Sequence, residues 1–187
     1  MNNYGSIFDT STNVITISEN YLTNKLREER PIYEYKNQRE LLTHEMCHLS
    51  LYNLTNHQSM RECFRFLDEG LAEIIGRQIA EPNELELYKI KSINSAKNQI
   101  QNLSFKKVQK WDEFFGAFDS PQKNWDAYEV GVSFIFFIFD TYSKEKLYEL
   151  FISISKTENL SKSVFEVFGK NETEFEKEWR TYVVHYK

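Results

Sequence analysis

Apolar residues recur along most of the chain at intervals of three and four, the period of a helix buried on one side. From about residue 37 to 53, Leu41, Leu42, Met46, Leu49 and Tyr52 follow that spacing with no Gly or Pro among them, which predicts a first long helix. A polar stretch through Asn53, Thr55, Asn56 and His57 interrupts the pattern. It resumes with Phe64, Leu67, Leu71, Ile74 and Ile75 as a second helix ending near Pro82. Residues 85–100 read as a third helix, and helical periodicity returns over 125–142, 144–155 and 172–182. Between them, 103–118 reads as an irregular connection rich in aromatics, with Trp111, Phe114 and Phe115.

The N-terminal region has a different rhythm. Residues 4–8 and 14–18 are short, β-branched or aromatic, and separated by polar residues, which predicts a small antiparallel strand pair. Leu22 and Leu26 then sit four apart in a charged segment that stops at Pro31, as in a short amphipathic helix. No internal repeat, low-complexity tract or flexible linker stands out.

Composition narrows the class. The 187 residues, 41% hydrophobic and 27% charged, suit one compact domain with a real core. A net charge of −5 argues against a general affinity for nucleic acid or an anionic membrane. The apolar run at 130–139 is about half the length a spanning helix needs, so it reads as a buried helix and no membrane insertion is expected. Cys47 and Cys63 are too few for a disulfide framework and are expected as free thiols. With no basic and apolar leader in the first residues, the default expectation is the cytoplasm; a processed secreted form would look the same.

The candidate chemistry lies on the first long helix, in His44-Glu45-Met46-Cys47-His48. His44 and His48 are four apart, so both imidazoles project from one face and can bind a single metal ion. Glu45, rotated by about 100° from His44, can reach a metal-bound water without becoming a ligand. Five residues alone also arise by chance on amphipathic helices, and a third ligand has to decide. Catalytic zinc usually takes three protein ligands and leaves a fourth position for water. Where the metzincin pattern has a Gly and a third His, this chain has Leu51 and Leu54, which excludes that subclass. A second acidic segment, Phe66-Leu67-Asp68-Glu69-Gly70-Leu71-Ala72-Glu73, begins on the next helix, with 20 residues between His48 and Glu69.

Taken together, these two segments resemble the gluzincin zinc metallopeptidases, specifically the peptidase MA-like group. The resemblance implies that Glu69 is the third zinc ligand beside His44 and His48, and that Glu45 is the general base. Gly70 and Ala72 are small enough to let the glutamate helix approach the histidine helix closely. Glu73, four residues after Glu69, matches the acidic residue that orients a ligand histidine in thermolysin-like gluzincins. Tyr128-Glu129-Val130-Gly131 looks like the Tyr-Glu-x-Gly segment of leukotriene-hydrolase-type aminopeptidases, which implies that Tyr128 stabilises the oxyanion. The order of the later segments, 144–151 and 164–179, is also similar to the C-terminal half of peptidase MA-like domains. The Gly-x-Met-Glu-Asn segment by which those aminopeptidases hold an amino terminus is missing from the chain.

The resulting expectation is an α+β fold, mainly α. A small N-terminal antiparallel β element packs on the HExxH helix and the glutamate helix, followed by a C-terminal helical lobe. Residues 1–187 form one metallopeptidase domain, with 1–55 as the N-terminal lobe and 60–187 as the C-terminal lobe. One zinc ion and a peptide or protein substrate are the expected cofactor and partner, with strand 14–18 as a site for substrate pairing. A catalytically silent zinc-binding scaffold and a metal-free helical interaction module are the competing readings. His57 and His185 fall at no ligand offset and are expected at the surface.

Overall fold

The structure, a computed structural model, describes residues 6–9, 14–17, 31–110 and 121–186, with side chains for 39–110 and 128–186. The helix expected around Leu22 and Leu26 and the aromatics Trp111, Phe114 and Phe115 lie outside the described residues. Strands β1 (Ser6–Asp9) and β2 (Val14–Ile17) pair antiparallel, Ser6 opposite Ile17 and Asp9 opposite Val14. The helices are α1 (Pro31–Leu54), α2 (Arg65–Ala80), α3 (Leu85–Gln99), the single-turn α4 (Phe105–Val108), α5 (Pro121–Thr141), α6 (Lys144–Thr157), α7 (Leu160–Phe168) and α8 (Glu172–His185). None among the described residues is long and apolar enough to cross a membrane.

The expected α+β class is corrected by this architecture. Among the described residues the buried apolar side chains form one cluster from Leu51 to Val183, and all belong to helices or the turns joining them. Among the described residues the fold is helical, and no β element forms a layer of its packed body. Two four-residue strands supply too little apolar area to stabilise a layer, so helix packing decides the architecture.

α5 is the central element. Its stretch from Val130 to Ile138 is buried throughout, as a run that is apolar except for Ser133 predicts. Phe134 meets Phe66 of α2 edge-on with ring centres 5.3 Å apart, Phe105 of α4 at 5.1 Å and Trp179 of α8 at 5.6 Å. Two polar groups taken into this core are paired: the Ser133 hydroxyl donates to the Val130 carbonyl at 2.7 Å, and the Trp179 indole N–H donates to Ser133 Oγ at 3.3 Å.

α2 lies between α1 and α5, and each side has its own glycine contact. A Cβ on Gly70 would stand 2.5 Å from the Gly131 carbonyl oxygen and 2.9 Å from Val132 N, so Gly70 and Gly131 let α2 and α5 cross with their backbones in contact. Gly70 therefore serves the crossing with the Tyr128 helix, where a close approach to the histidine helix was expected. That second approach is made at Gly76, whose Cβ would lie 3.1 Å from the Glu40 carbonyl oxygen and 3.4 Å from His44 Cβ. Because the atoms in the way at Gly70 are backbone, Gly70→Ala is expected to destabilise the protein by about 1–3 kcal/mol or more. Urea unfolding of the variant checks this, and an unchanged midpoint would contradict the crossing.

α1 begins at Pro31, several residues before the expected start near residue 37, because proline is tolerated in a first helical turn. Part of its apolar pattern faces outward, although Leu51 joins the core. Leu42 and Met46 are 43% and 53% exposed, whereas Glu45 and His48 are 6% and 5% exposed. The inward face of α1 is the one that carries the candidate chemistry.

Candidate metal centre

α1 places His44 and His48 one turn apart against α2, and α2 carries Glu69 to the same point. The two Nε2 atoms are 3.0 Å apart, and Glu69 Oε2 lies 3.5 Å from His44 Nε2 and 3.4 Å from His48 Nε2. Metal–ligand bonds of about 2.0–2.1 Å in a tetrahedron put ligand atoms about 3.3–3.4 Å apart, so this triangle has the size of one tetrahedral face. The structure thus contains a His44–His48–Glu69 group that could hold a metal ion, two of its three members buried.

The other ring nitrogens explain why the Nε2 atoms point inward. His48 Nδ1–H donates to Asp68 Oδ2 at 2.5 Å, and His44 Nδ1 faces Glu73 Oε1 at 3.4 Å. A proton kept on Nδ1 leaves a lone pair on Nε2. Two such lone pairs and a carboxylate oxygen then converge on one point, an arrangement that is repulsive until a cation occupies it. With protons as the only cations, the cluster retains them. Burial disfavours charge on His48, but Asp68 and Glu69 outweigh it and hold its pKa well above 6.5. Burial also opposes charge on His44, where the hydrogen bond to Glu69 prevails and the pKa is again raised. Burial would raise Glu69, yet His48 and His44 hold its carboxyl well below 4.5. Metal and protons therefore compete for the same atoms.

The residues around the cluster hold the ligands in place. Glu73 is brought to His44 as its helical offset from Glu69 suggests, and its other oxygen accepts from the Tyr88 hydroxyl of α3 at 3.0 Å. Asp68 was not singled out from sequence. It sits beside Glu69 in a short acidic run, and only the crossing of α1 and α2 shows that it turns towards His48. Asp68 is fully buried and its Oδ1 has no hydrogen-bond partner, so its polar contact is spent on His48 alone. Asp68→Asn is expected to weaken the binding of a divalent metal ion by about 10–100-fold, as read by competition with a chelator.

Glu45 is buried next to His44 on α1. Tyr128, near the start of α5, is partly buried, and its pKa is raised first by the charge of Glu69 and then by burial, with Glu73 and Glu45 adding and Arg65 opposing. Its phenol therefore remains protonated. Tyr128 also lines a cavity of 240 Å³ with Tyr88, Leu87 and Arg77. Cys47 and Cys63 are free thiols. Burial, helped by Asp68 and Glu69, pushes the Cys47 thiol up to about 12, so it does not offer a thiolate to the neighbouring cluster. His57 is exposed and stacked on Tyr52 with ring centres 4.1 Å apart, and His185 is exposed near the end of α8; neither belongs to the group. No protein-family model, no curated protein and no solved structure matches the chain.

Proposed function

We propose that this protein is a zinc metallopeptidase in which His44, His48 and Glu69 hold one catalytic zinc ion. The observation that carries the proposal is the convergence of His44 Nε2, His48 Nε2 and Glu69 Oε2 within 3.5 Å, beside a buried Glu45. Two imidazoles and one carboxylate are a donor set that suits zinc in catalytic sites. A zinc ion held by His44, His48 and Glu69 would lower the pKa of water towards neutrality and would polarise a scissile carbonyl.

The chain's own residues supply the rest. Asp68 and Glu73 keep the ligand rings in the Nδ1–H tautomer and fix their direction. Glu45 accepts a proton from the attacking water and returns it to the leaving amine. Tyr128, kept protonated by the charge of Glu69 and by burial, donates a hydrogen bond to the developing oxyanion. The substrate class is a peptide or protein.

The test is metal removal. A chelator should abolish hydrolysis of a fluorogenic peptide by the purified protein, and one equivalent of zinc should restore it. Hydrolysis that survives both chelation and His44→Ala would contradict the proposal.

A further inference from the structure

The two oxygens of Glu69 have different partners. Oε2 faces Nε2 of His44 and of His48, at 3.5 and 3.4 Å, while Oε1 lies 3.4 Å from Nε of Arg65. Arg65 is the first residue of α2, where a cation opposes the helix dipole. It also precedes its glutamate by four residues, the less favourable order for such a pair along a helix. Helix stability therefore does not account for an arginine at this position. The guanidinium is partly exposed and lies on the outer oxygen of a buried carboxylate whose inner oxygen belongs to the metal group.

We propose that Arg65 is a positioning residue of the metal site: it holds Oε1 of Glu69, so that the carboxylate binds through Oε2 alone and leaves the fourth position to water. This rests on the zinc reading above. A glutamate free to turn would no longer keep Oε2 at the point where the two Nε2 atoms converge, so metal binding would carry the cost of ordering it, and Oε1 would compete with water for the fourth position. The sign of the effect separates positioning from plain charge. Removing a cation beside a cation site would by charge alone tighten zinc binding; loss of positioning weakens it.

The test compares wild type, Arg65→Met and Arg65→Lys, each shown to be folded by circular dichroism. Zinc affinity is measured by chelator competition, and the cobalt-substituted proteins by visible absorption. Arg65→Met is expected to bind zinc about 10-fold or more weakly, with a changed cobalt absorption as Oε1 competes with water for the fourth position. Arg65→Lys, which keeps the charge but not the planar fork, should recover only part of the loss. If wild type binds zinc and Arg65→Met binds it equally or more tightly, or with an unchanged cobalt spectrum, the role of Arg65 is overturned while the metal site stands. A wild type that binds no metal overturns both readings.

Discussion

Replacing His48 with alanine is expected to abolish tight zinc binding and to destabilise the zinc-free protein by about 3–5 kcal/mol, because it leaves Asp68 as a buried carboxylate without its partner. Asp68 is fully buried and is hydrogen-bonded to His48 Nδ1 at 2.5 Å, so removing the ring takes away the one side chain that the fold supplies to its charge. Chemical denaturation without zinc reads the stability loss, and calorimetric titration reads the metal. A paired variant, His48→Ala with Asp68→Ala, should recover part of the stability and none of the zinc. The same cluster sets a pH dependence. The raised pKa of His48 means that its imidazolium stabilises the zinc-free fold fully below 6.5, and that this contribution is lost as pH rises through the folded value. Glu69, with its depressed pKa, contributes above 4.5 and loses that contribution as pH falls through its folded value. Both contributions are complete between 4.5 and 6.5. Zinc should therefore raise the melting temperature most on the alkaline side, where the rings have given up their protons. A zinc effect that grows towards acid pH would contradict this.

Glu45→Gln is expected to lower kcat for a peptide substrate by about 10²–10⁴-fold while zinc stays bound. The amide keeps the shape of Glu45 and removes its ability to accept a proton, and Glu45 is not a member of the ligand group. KM should change little if the carboxylate acts mainly in the transition state. Loss of zinc from this variant would instead assign Glu45 a structural role.

How much of this was legible in the sequence differs from residue to residue. The His44–His48 pair and its helix were readable because a four-residue offset fixes two side chains on one face, whatever the tertiary structure. Which face looks inward was not. Leu42 and Met46 fit the apolar period yet are exposed, because the inward side of α1 carries Glu45 and His48 together with Leu51. Glu69 and Glu73 were readable from their segment, but Asp68, Tyr88 and Arg65 acquire their partners only through helix crossings or through the orientation of one carboxylate. The small residues show the same limit: Gly70 and Gly76 are both on α2, and only the packing shows that one meets α5 and the other α1. The helix α7 was missed although its ends carry clear signals. Asn159 caps its start by accepting from Lys162 N, and Gly169 closes it at φ 68°, but the segment between is only nine residues long. The strands misled on class because a period-two pattern reports local pairing and says nothing of whether a sheet enters the core.

The measurement that bears most directly on zinc-dependent peptide hydrolysis is digestion of a peptide library by the zinc-loaded protein, read by mass spectrometry beside zinc-loaded Glu45→Gln. Wild type should cut a defined set of bonds, and the variant should leave those bonds intact over the same period. A library untouched by the zinc-loaded wild type, or the same cuts at the same rate from Glu45→Gln, would contradict it.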